Sequence, residues 1–114
     1  MREADQWCGI VILYHEETDF SMADSVGQGI EEEGIPYRLR AWAESAVTAY
    51  SLAHEPGLGV AVEIDCGVVK VYCRQLKESS PLFVLRQGSQ RDLRIIGHNA
   101  ARIVKGRPFL ALAE

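Results

Sequence analysis

The chain reads as a three-layer α/β/α fold on a mixed, mainly parallel sheet of about five strands. Three observations predict it. Short apolar runs of strand length alternate with longer segments whose apolar residues recur at helical spacing. Two strand-like runs are separated only by Asp65, Cys66 and Gly67, which demands a hairpin and makes the sheet mixed. The 114 residues are 47% hydrophobic, enough for one ordinary core, so residues 1–114 are expected to form a single domain.

Each element has its own local signal. Cys8 to Tyr14 is apolar and rich in β-branched residues, as a strand covered on both faces should be. Asp24 or Ser21 can cap a helix that carries Val26 and Ile30 on its buried side and ends at Gly34, with Pro36 preventing continuation. Tyr37 to Trp42 alternates and forms a second, less buried strand. Ser45 begins a second helix, with Ala46, Ala49, Tyr50 and Ala53 at helical spacing and Pro56-Gly57 closing it. Gly59 to Ile64 and Val68 to Cys73 form the hairpin, and Pro81 to Arg86 a further strand. From about Ser89 to Lys105 a long helix aligns Leu93, Ile96, Gly97, Ala100, Ile103 and Val104 before Gly106 stops it.

Composition narrows the functional classes. No apolar run approaches the ~18 residues of a membrane span, and Met1 to Asp5 is too polar and acidic for a signal peptide, so a cytoplasmic protein without membrane association is expected. Cys8, Cys66 and Cys73 form no CxxC pair, which disfavours a disulfide framework or a zinc ribbon. Charge is divided along the chain: residues 1–65 hold 13 acids and 3 bases (net −10) and residues 66–114 hold 3 acids and 9 bases (net +6), together the net −4. Such a chain is electrically polar if its halves occupy different sides, and close to neutral everywhere if they interleave.

Few segments suggest chemistry. His15, Glu16 and Asp19 follow the first strand, where open α/β sheets often bind ligands, and could hold a metal in a small metal-binding protein or enzyme. The segment differs from HExxH because Asp19 replaces the second histidine. Gly27-Gln28-Gly29 lacks the third glycine of a dinucleotide fingerprint, and no GxxxxGK[ST] run exists, so close helix packing is the expected role of these glycines. Cys66 is flanked by Glu63 and Asp65, which disfavour a thiolate. His54 and His98 have no readable partner. Arg94, His98, Arg102 and Lys105 share a face of the last helix. Nucleic-acid binding would use such a stripe, but the pI near 5.4 and the lack of interleaved aromatics argue against it.

Glu31, Glu32 and Glu33 form the anomaly. They occupy the last turn of the first helix, where the free carbonyls already carry partial negative charge, and each acid there costs about 0.3–1 kcal/mol unless a cation is supplied. At roughly 100° per residue Glu32 lies nearly opposite Ile30 and projects outward. A carboxylate so placed can complete the oxygen shell of Mg²⁺ or pair with a partner's arginine.

The segments GIEEEGIPYRL (Gly29 to Leu39) and HNAARIVKGRPF (His98 to Phe109), with the weaker SSPLFVL (Ser79 to Leu85), resemble the small subunit of diol/glycerol dehydratase reactivating factors. His98 stands where that family commonly has asparagine, and the second helix and hairpin diverge. The resemblance implies a non-catalytic subunit that pairs with a large ATPase subunit and exchanges with a dehydratase subunit. The complex would thereby release damaged cobalamin from adenosylcobalamin-dependent diol or glycerol dehydratase. It implies no cofactor on the free chain and Mg²⁺ at the interface with the large subunit, with Glu32 as its ligand. Glu31, Glu33, Asn99, Arg102 and Lys105 become expected partner contacts. A homodimer of the isolated chain through the same surface, and location inside a bacterial microcompartment, are compatible with this reading.

Overall fold

The strand-like runs become one five-stranded sheet in the order β2-β1-β3-β4-β5. The computed structural model describes residues 9–42, 48–54, 59–75 and 80–112. The strands are β1 (Ile10–Tyr14), β2 (Tyr37–Ala41), β3 (Val60–Asp65), β4 (Val68–Cys73) and β5 (Phe83–Arg86). Among the described residues the helices are α1 (Phe20–Glu32), α2 (Ala49–Ala53) and α3 (Gln90–Lys105). β1 pairs in parallel with both β2 and β3, and only β4 runs against the other strands. The mixed, mainly parallel α/β sheet is therefore as expected.

Strand alternation assigns the two faces of the sheet. Ile10 and Ile12, Val60, Val62 and Ile64, and Val69, Val71 and Cys73 point to one side, where Ala23, Val26 and Ile30 of α1 and Leu93, Ile96 and Ala100 of α3 cover them. Leu13, Ala61 and Tyr72 point to the other, where Ala49 and Ala53 of α2 complete a smaller cluster. Among the described residues, one outer layer is thus two full helices and the other the short α2.

Local chemistry sets the boundaries. α1 begins earlier than the Asp24 or Ser21 cap would give: Asp19 is the N-cap, its carboxylate accepting from the Ser21 amide at 2.9 Å. Thr48 caps α2, which is shorter than expected; Ser45, Ala46 and the closing Pro56-Gly57 lie outside the described residues, as does Cys8. Cys66 and Gly67 both have positive φ, 50° and 79°, the requirement of a two-residue type I′ hairpin turn. Ser89 caps α3, and Gly106, at φ 68°, ends it in the left-handed conformation.

Candidate functional site

The acidic end of α1 meets the basic stripe of α3, and two glycines make the meeting close enough. A Cβ on Gly29 would lie 2.0 Å from the Arg94 carbonyl oxygen, and one on Gly97 would lie 2.0 Å from that of Val26. The two helix backbones touch there, as the packing role expected of Gly29 requires. From that crossing, Arg94, His98, Arg102 and Lys105 reach the α1 terminus.

Glu33 is the buried member of the acidic run, its side chain only 5% exposed. Its carboxylate accepts from Arg102 Nε at 2.8 Å and Lys105 Nζ at 3.1 Å, and it meets His98 Nδ1 at 2.6 Å. Lys105 also donates to the Glu33 carbonyl at 2.7 Å, supplying a cation to the negative end of α1. Burial alone would raise the Glu33 pKa; the hydrogen bonds from His98, Arg102 and Lys105 outweigh it and lower the value from 4.5 to about 2.

Glu32 lies on the open side, 39% exposed. It accepts from Arg94 Nε at 3.0 Å and Nη2 at 2.5 Å, a forked guanidinium–carboxylate pair, and meets His98 Nε2 at 2.7 Å. The Arg94 hydrogen bonds, followed by that of His98, hold the Glu32 carboxyl below the usual range. His98 therefore has a carboxylate oxygen on each ring nitrogen and bridges Glu32 and Glu33. Glu31 is exposed.

These contacts correct one premise of the sequence reading. The acidic helix end is not left incomplete for a partner to neutralise: α3 of the same chain supplies the countercharge. Arg102 and Lys105 are committed to Glu33, with Arg102 Nη1 also donating to the Pro108 carbonyl. Asn99 is buried and holds the C-terminal segment, donating to the Leu110 carbonyl at 3.0 Å and accepting from the Leu110 amide at 2.7 Å. The basic stripe, with His98 in it, is thus the structural complement of the Glu31–Glu33 run.

The loop after β1 also differs from expectation. His15 does not assemble with Glu16 and Asp19, because Asp19 caps α1. Its Nε2 lies 2.6 Å from Glu63 and its Nδ1 3.9 Å from Asp65, both on β3. Among the described residues this is the one His/Cys/Asp/Glu group close enough to share a cation. Sequence spacing missed it because parallel pairing of β1 with β3 joins residues some fifty positions apart. Cys66 is exposed, and a hydrogen bond to Asp65 and the charge of Asp65 raise its pKa. No helix among the described residues is long and apolar enough to cross a membrane.

Comparison with known proteins agrees with the sequence resemblance. Residues 9–110 match the family described as Dehydratase medium subunit. The chain is 44% identical over 85 residues to the diol dehydratase-reactivating factor small subunit of Klebsiella michiganensis, covering 71% of this chain and 67% of that protein. It is 41% identical over 85 residues to the propanediol dehydratase-reactivating factor small subunit of Salmonella typhimurium, covering 71% and 72%. Among solved structures, it is similar to a chain of the diol dehydratase-reactivating factor complexed with ADP and Mg²⁺. There the TM-score is 0.80 at 34% identity, over 92% of this chain and 99% of that one. A glycerol dehydratase reactivase chain shares the fold at TM-score 0.81 and 22% identity, over 92% and 98%.

Proposed function

Because this chain belongs to the dehydratase medium subunit family, we propose that it is the non-catalytic small subunit of a dehydratase-reactivating factor. The observation that carries the proposal is the 34%-identical match to a reactivating-factor chain over nearly the whole length of both. The relatives at 44% and 41% identity are likewise reactivating-factor small subunits.

In this reading the chain joins a large ATPase subunit, and the complex releases damaged cobalamin from adenosylcobalamin-dependent diol or glycerol dehydratase by subunit exchange. Nucleotide binding belongs to the large subunit, in keeping with a sequence that has no GxxxxGK[ST] run. The chain works in the cytoplasm or inside a microcompartment.

The α1 terminus is the proposed contact surface. Glu32 becomes a Mg²⁺ ligand at the interface by exchanging its exposed pair with Arg94 for the ion, and Glu31 adds a second exposed carboxylate. Glu33, Asn99, Arg102 and Lys105 support that surface: three fix the helix end and Asn99 fixes the segment beside it. A hard cation suits an exposed carboxylate near helix-terminal carbonyls.

The test is reconstitution with the large subunit. The mixture should restore turnover to a dehydratase inactivated with its damaged cofactor in place, given ATP, Mg²⁺ and fresh adenosylcobalamin. Glu32→Ala should weaken assembly and remove its magnesium dependence. Failure of the wild-type chain to bind any large subunit would defeat the proposal, and assembly insensitive to magnesium would defeat the role given to Glu32.

A further inference from the structure

The His15 cluster lies at the other end of α1 from Glu32. α1 has 13 residues, a length of roughly 20 Å, so the two sites are separate. Its position follows from the topology. The connection leaving β1 turns toward β2, while the one leaving β3 turns the opposite way, toward β4. The C-terminal ends of the parallel β1–β3 pair therefore lie side by side, with the loop after β1 next to the start of the β3–β4 hairpin.

The residues at that end of the sheet carry metal-binding chemistry. Glu63 and Asp65 are two apart on β3 and so share a face, the one opposite to α1 and α3. The parallel register that sets Tyr14 beside Ile64 brings His15, the next residue, to the same place. His15, Glu63 and Asp65 each offer one donor atom, all within 4.8 Å of one another. The imidazole is held from several sides: its backbone amide donates to the Ile64 carbonyl at 3.0 Å, and the Trp42 ring stacks on it at 5.1 Å with 20° between planes. Thr18 ties the same loop to Ile64 through its hydroxyl at 3.1 Å.

We propose that His15, Glu63 and Asp65 bind a divalent first-row transition-metal ion, with Zn²⁺ as the representative. One imidazole and two carboxylates form a mixed nitrogen–oxygen set, which such ions prefer, whereas Mg²⁺ and Ca²⁺ favour oxygen alone. Three protein ligands leave a coordination position open. It would face the cavity of about 240 Å³ that Glu63 and Asp65 line together with Cys66, Val68, Lys70 and Arg86. Lys70 and Arg86 supply positive charge there, so an anion or water is the natural occupant of that position.

The proposal does not depend on the reactivating-factor reading, and its test uses the full chain alone, stripped of metal. Titration calorimetry with Zn²⁺ in excess Mg²⁺ should show one ion bound per chain. His15→Ala and the more conservative Glu63→Gln should each weaken binding at least about tenfold, with circular dichroism confirming that both variants fold. Glu32→Gln should bind as the wild type does. Co²⁺ should give a visible spectrum without a thiolate charge-transfer band. No uptake of Zn²⁺ by the wild-type chain overturns the site. So does uptake that survives both ligand substitutions, or a thiolate band that disappears in Cys66→Ser.

Discussion

Replacing Glu33 by glutamine should be among the most damaging single-atom changes available to this chain. The side chain is 5% exposed and gathers the Arg102 guanidinium, the Lys105 ammonium and the His98 imidazole within 3.1 Å. A neutral amide cannot accept from all of them, and its own NH₂ would face donors. Two routes give the magnitude. Removing one member of a buried ionic cluster costs about 3–5 kcal/mol. Independently, a carboxyl lowered from 4.5 to about 2 is stabilised by roughly 3 kcal/mol in its charged form. With a urea dependence of about 1.5 kcal/mol per molar, the unfolding midpoint of Glu33→Gln should fall by roughly 2 M, whereas the exposed Glu31→Gln should change stability by less than about 0.5 kcal/mol. The pH dependence has a definite sign. Because the folded pKa lies below the ordinary one, the contribution of Glu33 is complete above about 4.5 and is lost as pH falls toward 2. The gap between wild type and Glu33→Gln should therefore narrow across that window. A loss under 1 kcal/mol at neutral pH, or parallel curves from pH 5 to 2, would show that Glu33 does not anchor the helix end through its charge.

Other substitutions test the helix crossing, the exposed pair and the hairpin thiol separately. Gly97→Ala places a methyl group against the Val26 carbonyl, forcing α1 and α3 apart, and should lower stability by about 1–3 kcal/mol in thermal or urea unfolding. Arg94→Gln removes only an exposed pair and should leave the unfolding midpoint nearly unchanged, any difference shrinking further in high salt. Asp65→Asn removes the charge and the hydrogen bond that raise the Cys66 thiol, so the thiolate fraction rises and labelling of Cys66 by a thiol reagent at pH 8 should become faster.

Most of the fold could be read from the sequence because its signals are local. The apolar run before Tyr14, the three-residue gap of the hairpin, and the Ser89 and Gly106 ends of the last helix each specify an element without reference to distant residues. The start of α1 is harder to place because three local signals compete. Asp19, Ser21 and Asp24 can all cap a helix, and Asp19 takes the role by accepting from the Ser21 amide. The site was harder to read because its content is pairwise. The Glu31–Glu33 run and the stripe of bases on α3 were each visible, but nothing in one dimension says that the halves interleave. The glycine contacts of Gly29 and Gly97 decide that. Likewise His15 was visible as a ligand, yet Glu63 and Asp65 become its neighbours only through the pairing of β1 with β3.

The difference between Glu32 and Glu33 follows from a rotation of about 100° along one helix. That rotation turns identical side chains into unequal ones. Glu33 faces α3, is desolvated, and cannot give up its cations without a loss comparable to a large part of a small domain's stability. Glu32 faces solvent, where water screens a guanidinium pair and leaves it weak. A divalent ion or a partner's arginine that takes the place of Arg94 therefore displaces a contact of low value, while the buried contacts one residue away keep the helix end in position. A surface that must bind and release needs this inequality: with both carboxylates exposed, nothing would orient the ligand, and with both buried, none would be available. The neutralisation seen within the chain is thus compatible with a metal-mediated contact, provided Arg94 alone moves.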